Sequence, residues 1–238
     1  MKRILITNDD GIDSPGLIRL CKVAKEFGEV WVVAPISQRS ACSHSLTLHD
    51  TISVKPHVLP VDGVKAFSCS GTPADCVRLG VISVLPERPD IVLSGINYGY
   101  NVATDIQYSG TAGAAFEAAF QGITGIAISE EAVPCHDITD HYLPEILKEV
   151  IERPLSSDQI WNINIPGGTL DTCKGIIRGP KVSHGAFYRD RYKAVGEGPG
   201  GEKIYVVDGI YNEDAEEGTD FHAVVNKYIS LGIVNNVK

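Results

Sequence analysis

Near the amino terminus a short apolar run, Ile4-Leu5-Ile6, breaks into Thr7-Asn8-Asp9-Asp10-Gly11-Ile12-Asp13-Ser14-Pro15-Gly16. A run this short and this apolar reads as a buried parallel strand. The polar cluster then falls at the carboxyl end of that strand, where open α/β sheets bind their ligands. Two adjacent carboxylates repel each other unless positive charge lies beside them. A hard divalent cation answers that need, because Mg²⁺ and Mn²⁺ prefer oxygen donors. The same residues also read as a solvated turn, with Asn8, Asp9 and Asp10 capping the helix that follows. That helix opens at Pro15, and Leu17, Leu20, Val23, Ala24 and Phe27 repeat at helical spacing, predicting a helix over 15–27.

The rest of the chain extends the strand–helix alternation. Val30–Ala34, Asp90–Leu93, Gly125–Ser129 and Trp161–Pro166 are further apolar runs, and helical patterns begin near Pro73, Thr111 and Thr139. Residues 51–69 read as two extended segments around Val61-Asp62-Gly63. Thr72, Pro73 and Asp75 predict a capped helix start. Each of three loops after a strand is polar. Ser37–Ser45 carries hydroxyls and Arg39. Ser94–Asn101 alternates glycine with asparagine. Ser109-Gly110-Thr111 places hydroxyls and backbone N–H groups at a helix N-terminus, which suits an anion. Beyond residue 180 the style changes to an aromatic, basic and glycine-rich stretch with Asp208-Gly209 as a hairpin signal and an acidic run at Glu213–Glu217.

Composition narrows the function. The 238 residues are 43% hydrophobic and carry a net charge of -9, against the basic footprint of a duplex nucleic-acid binder. Mean hydropathy is +0.01, and no apolar run approaches the roughly 20 residues of a membrane span. The chain enters its first strand directly after Met1-Lys2-Arg3, so a cytoplasmic protein is expected. Six cysteines stand without a Cys-x-x-Cys pair, which predicts free thiols, and the seven histidines lack metal-site spacing.

Taken together, the strings ILITNDDGIDSPG, VVAP followed by RS, SGTPADCV, SGINYGYN and DIQYSGTAGAA resemble the survival-protein SurE family of metal-dependent 5′-nucleotidases. They run in order from residue 4 to about 115, with weaker similarity through WNINIP. The resemblance implies a Rossmann-like α/β fold: a mostly parallel sheet flanked by helices, with a C-terminal β-hairpin extension. A catalytic core over 1–180 and a β-rich, oligomer-forming extension over 181–238 are expected. It further implies one Mg²⁺ or Mn²⁺ held by Asp9, Asp10, Ser40 and Asn97. Phosphate would be faced by Asn8, Ser109, Gly110 and Thr111. Asp9 or Asp10 would orient or deprotonate the attacking water. The implied substrates are nucleoside 5′-monophosphates, with 3′-monophosphates and short polyphosphate as additions. The implied assembly is a dimer or tetramer formed by terminal exchange and the β arm, whose aromatics are Phe187, Tyr188, Tyr192, Tyr205 and Tyr211. No Ser or Cys nucleophile with an adjacent base is evident, which favours direct attack by water. Competing readings are a metal-assisted hydrolase of another ester or amide, and a nucleotide-binding regulator without chemistry.

Overall fold

In the computed structural model, which describes residues 1–212 and 214–236, the main strands form a nine-stranded sheet in the order β3-β4-β2-β1-β5-β6-β7-β13-β8. Its centre is β1 (Lys2–Thr7), which pairs in parallel with β2 (Gly28–Pro35) on one side and β5 (Ile91–Tyr98) on the other. From β2 the sheet continues outward through β4 (Lys65–Cys69) and an antiparallel edge strand, β3 (Val54–His57). From β5 it continues through β6 (Thr124–Glu130) and β7 (Gln159–Ile165), both parallel. The chain therefore winds one way from β1, then the other. A crevice opens at such a reversal, beyond the carboxyl ends of the two central strands.

Alternate residues of β1 serve two cores. Ile4 and Ile6 face α1 (Pro15–Ala24) and α4 (Asp137–Val150), packing with Leu17, Leu20, Ile146 and Leu147. Leu5 faces the opposite layer, with Val33, Val92, Cys76 of α2 (Pro73–Leu79) and Ala114 of α3 (Gly110–Phe120). Full burial of each aliphatic side chain contributes about 1.5–3 kcal/mol, so the strand carrying the acidic pair is anchored on both faces. The small residues of α3 let it lie close to the sheet. A Cβ on Gly125 of β6 would strike the Ala115 backbone, so glycine is required there.

Several boundaries differ from expectation. Helix α1 stops at Ala24, not Phe27, because its last turn tightens: Glu26 N donates to Val23 O and Phe27 N to Ala24 O. Strand β5 runs on to Tyr98. Its pairing with β6 breaks after Ser94 and resumes as Asn97↔Ser129 and Tyr98↔Glu130, so Asn97 belongs to the sheet and not to a loop beyond it. Thr72 does cap α2, in a reciprocal box with Asp75.

The C-terminal division is also redrawn. After β8 (Ile176–Arg178) the chain forms β9 (Tyr188–Arg189), β10 (Tyr192–Glu197), β11 (Lys203–Val207) and β12 (Ile210–Tyr211). It then returns through α5 (Asp220–Val225) to β13 (Ile229–Asn235), which inserts between β7 and β8. Residues 229–235 are thus part of the main sheet, and only 188–211 stand apart as an arm. The tip of that arm is the Gly198–Gly201 turn, where Gly198 N donates to Glu202 O. Asp208-Gly209 makes no hairpin of its own: β12 pairs with β9 while Asp208 N donates to Arg191 O, so it lies midway along a two-tiered ribbon. Phe187 is not arm surface but core, 2% exposed and packed edge-on to Phe221. Tyr192 and Tyr205 are exposed, and Tyr188 marginally so. The side chain of Tyr211, Glu213 of the acidic run, and Val237 and Lys238 of the tail lie outside the described residues. No helix among the described residues is long and apolar enough to cross a membrane.

Candidate active site

The acidic pair emerges from β1 at the winding reversal. Gly11 takes a φ of 101°, the left-handed region that glycine adopts without strain, and this turns the chain back toward α1. Asn8 locks the turn: its Nδ2 donates to Gly11 O at 2.9 Å and to Ser14 Oγ at 2.7 Å. Ser14 Oγ in turn caps α1 by accepting from Leu17 N. Both amide hydrogens of Asn8 are therefore committed to the turn, and its buried Oδ1 has no hydrogen-bond partner among the described residues. The cap of α1 is thus Ser14, which the capping reading did not name; Asn8 braces the turn, and neither acid caps the helix.

Asp9 and Asp10 point elsewhere. Asp9 is 5% exposed; Thr111 donates its hydroxyl to Oδ1 at 2.7 Å and its backbone N–H to Oδ2 at 3.2 Å. Burial pushes the Asp9 carboxyl up to about 6, the Thr111 hydroxyl pulls it down, and the Asp10 charge raises it further. Asp10 accepts from Tyr98 N at 3.1 Å. Burial raises Asp10 too, the Tyr98 N–H opposes this, and the Glu130 charge adds to the rise. Thr111 thus clamps Asp9 through both its hydroxyl and its backbone N–H. Ser109 caps α3, its Oγ accepting from Ala112 N at 3.0 Å, while its own hydroxyl proton remains to be donated. Gly110 sits directly on the pair: a Cβ there would lie 3.0 Å from the Asp9 Cβ and 2.8 Å from Cys42 Sγ.

The loop carrying Ser40 is fastened across this crevice at two points. Arg39 N donates to Asp9 O at 2.7 Å, and Ser43 N donates to Tyr108 O at 3.0 Å. The Arg39 guanidinium turns away and donates to Ser70 O. Gln38 Nε2 donates to Ser40 Oγ at 2.9 Å. Asn97 gives its Nδ2 to Gly99 O at 2.7 Å, which commits the nitrogen and leaves Oδ1 to accept.

Asp9, Asp10, Ser40, Asn97 and Ser109 line one pocket of about 300 Å³. Sequence reasoning did not assign the six others that line it: Gln38, Ala41, Tyr98, Asn101, Asp105 and Tyr108. Asp105 is pushed up to about 6, by burial first and by the Asp190 charge second. Its signal was its place one turn before Ser109 in a loop that follows a strand. Among the described residues lining the pocket none is Lys or Arg.

This donor set can be tested against a cation. A buried carboxylate and a half-buried one beside it, a hydroxyl and an amide oxygen are all hard oxygen donors, the chemistry of Mg²⁺ and Mn²⁺. Among the described residues no three His, Cys, Asp or Glu side chains group around a metal position, so a zinc-type site has no counterpart. The residues fit a hard divalent ion.

Comparison with known proteins agrees with this geometry. The sequence model of the family described as survival protein SurE matches residues 4–187. A 5′-nucleotidase SurE of Clostridium botulinum (strain Loch Maree / Type A3) is 38% identical over 235 residues, covering 96% of this chain and 90% of that protein. A 5′-nucleotidase SurE of Thermoanaerobacter sp. (strain X514) is 40% identical with the same coverage. The crystal structure of the SurE protein from Aquifex aeolicus superimposes with a TM-score of 0.81 at 34% identity, covering 98% of this chain and 93% of that one. An acidic pair at the winding reversal, a clamp from the next helix and likeness over nearly the whole length lead to one conclusion: the chain belongs to the SurE family.

Proposed function

We propose that the protein is a divalent-metal-dependent phosphatase that hydrolyses nucleoside 5′-monophosphates to nucleoside and phosphate. The observation that carries the reading is the charge of the pocket. Asp9, Asp10 and Asp105 line it without a Lys or Arg, so a phosphate dianion enters only if a cation comes with it. The name 5′-nucleotidase borne by relatives at 38% and 40% identity supplies the substrate class.

Asp9, Asp10, Ser40 and Asn97 hold the ion in this reading, one Mg²⁺ or Mn²⁺ per subunit. When bound, the ion neutralises charge on the phosphoryl oxygens and acidifies water. The chain's own residues do the rest. Thr111 fixes the rotamer of Asp9, so the carboxylate is in place before substrate arrives. Ser109 donates its hydroxyl proton to a phosphoryl oxygen, joined by the backbone N–H of Gly110, since the next amides of that turn are taken by Asp9 and Ser109. Asp10 uses Oδ2 for Tyr98 N, and its Oδ1 accepts the proton of the attacking water. Attack by water is direct, since no activated Ser or Cys adjoins the site.

Two wider properties belong to the same reading. The arm over 188–211 exposes Tyr192, Val195, Ile204, Tyr205 and Val207, which suits burial against a second copy in a dimer or tetramer. The six cysteines are free, in keeping with a reducing cytoplasm.

The function is tested by phosphate release from a panel of 5′- and 3′-nucleoside monophosphates, sugar phosphates, short polyphosphate and a carboxylic ester, each with Mn²⁺, Mg²⁺ or EDTA. Metal-dependent release from AMP is expected. Cleavage of the ester alone would show a different hydrolase, and nucleotide binding without turnover would show a regulator.

A further inference from the structure

On the other side of Asp10 lies a second pocket of about 320 Å³, lined by Pro15, Ile96 and Tyr98 together with Arg19, Glu130 and His136. It shares Asp10, Gln38 and Tyr98 with the first, so the two adjoin at those residues. Glu130 ends β6 at the carboxyl edge of the sheet, and its side chain is 4% exposed. Arg19 Nη1 donates to Glu130 Oε1 at 2.6 Å, and Arg19 is itself braced by Asp140, which accepts from Nη2 at 2.6 Å and Nε at 2.9 Å. His136 Nδ1 also approaches Oε1, at 3.1 Å but without hydrogen-bonding geometry.

Arg19 and His136 both approach Oε1. Glu130 Oε2 is buried and has no hydrogen-bond partner among the described residues. Buried carboxylate oxygens nearly always have a donor, and one that lacks it calls for an explanation. The ion pair from Arg19 of α1 to the end of β6 explains Oε1 and leaves Oε2 unexplained. What would complete it is a neutral ligand with hydroxyl donors. An anion is disfavoured by Glu130 and Asp10 together, and the cationic partner of Glu130 is already present as Arg19. The pocket's apolar members, Pro15, Ile96 and the half-exposed Tyr98, suit the face of a sugar or base.

We propose that this pocket takes the leaving nucleoside, with Glu130 Oε2 accepting hydrogen bonds from the ribose 2′- and 3′-hydroxyls. The choice of ribose rests on the nucleotidase reading of the adjoining pocket. Acidic side chains at the carboxyl ends of parallel strands bind ribose hydroxyls in dinucleotide-binding folds. Here the acid is two strands removed from β1, beside the phosphate pocket, where the sugar of a 5′-phosphate must lie. Arg19 and Asp140 are positioning residues that hold the carboxylate in its rotamer. A site built to pair a hydroxyl discriminates against an analogue lacking it, because the buried acceptor is then left unpaired.

The test is equilibrium binding of adenosine and of 2′,3′-dideoxyadenosine to the full-length protein, followed to millimolar ligand by calorimetry or ligand-observed NMR. Kinetics with AMP and 2′,3′-dideoxy-AMP accompany it. Adenosine is expected to bind at least about tenfold more tightly. In Glu130→Ala, with folding checked by melting, that ratio is expected to fall to about twofold or less, and the kinetic loss to lie in KM more than in kcat. The wild-type comparison needs no variant, so it decides the matter even if Glu130→Ala does not fold. Equal binding of the two nucleosides by wild type, or undiminished discrimination by a folded Glu130→Ala, overturns the proposal. If the wild type hydrolyses AMP and the dideoxy analogue alike, the ribose subsite fails and the nucleotidase stands. If it discriminates between the nucleosides but releases no phosphate from AMP, the subsite stands and the nucleotidase fails.

Discussion

Asp9 is held in a place that a lone carboxylate would avoid. Its folded pKa is raised from 3.8 to about 6, chiefly by burial, so the folded protein without metal binds that proton more tightly than the unfolded chain. The sign follows from linkage: the favourable contribution is present below about pH 4 and is lost as pH rises toward 6. Two pKa units correspond to on the order of 3 kcal/mol. Asp9→Asn is therefore expected to be more stable than wild type at pH 7 in EDTA, by about 1–3 kcal/mol once a weakened Thr111 contact is set against the gain. That advantage should vanish near pH 4. Urea unfolding of both proteins at the two pH values measures it, and since Asp105 titrates in the same window in both, its contribution cancels. No gain at pH 7 would mean that Asp9 is not strained. Asn97 makes a different prediction. Asn97→Ala loses a bond to Gly99 O on a partly exposed strand end, so the metal-free melting temperature should change little. Its Mn²⁺ affinity, read by calorimetry, should fall by about tenfold or more. Unchanged affinity would remove Asn97 from the ligand set.

At the scale of elements, the site is precise because α1 and β5 touch without a side chain between them. A Cβ on Gly16 would collide with Ile96 O, one residue before Asn97. Gly16→Ala should then cost about 1–3 kcal/mol by overpacking. It should also weaken Mn²⁺ binding, though residue 16 carries no ligand atom. Urea unfolding and Mn²⁺ calorimetry on the one variant test both parts, and a loss of stability with intact Mn²⁺ affinity would uncouple the helix from the site. These contacts also show what could be read from sequence. The main strands, the cap at Thr72, and the gathering of Asp9, Asp10, Ser40 and Asn97 at one pocket were legible, because apolar period, capping chemistry and strand-end placement are local signals; the caps at Ser14 and Ser109 were not read as such. The part of Asn8 in closing the turn was not legible, because an amide that closes its own turn has the same letters as one that faces a ligand. The role of Thr111 as a clamp was hidden because its partner lies 102 residues away. Residues 229–235 were assigned to the extension because an antiparallel strand returning to a sheet carries no marker of its partner; only the ladder with β7 shows it.

At the scale of the whole molecule, the arm is the part that one subunit does not account for. Both strands of the β10–β11 ribbon are exposed along their length while bearing tyrosine, valine and isoleucine. A homodimer or larger assembly is expected in sedimentation at micromolar concentration, and a monomer there would contradict the arm's proposed use. The central claim, that Asp9 and Asp10 hold a divalent ion on which phosphate removal depends, has one direct test. Melting temperature and phosphate release from AMP are measured for wild type, Asp9→Asn and Asp10→Asn, each with Mn²⁺ and with EDTA. Mn²⁺ should raise the melting temperature of wild type, because it binds the native state, and EDTA should abolish its activity. In each variant the Mn²⁺ shift should shrink and phosphate release should fall by at least about 100-fold, while the metal-free fold persists. Near wild-type phosphate release and an undiminished Mn²⁺ shift in both variants would return the acidic pair to turn chemistry.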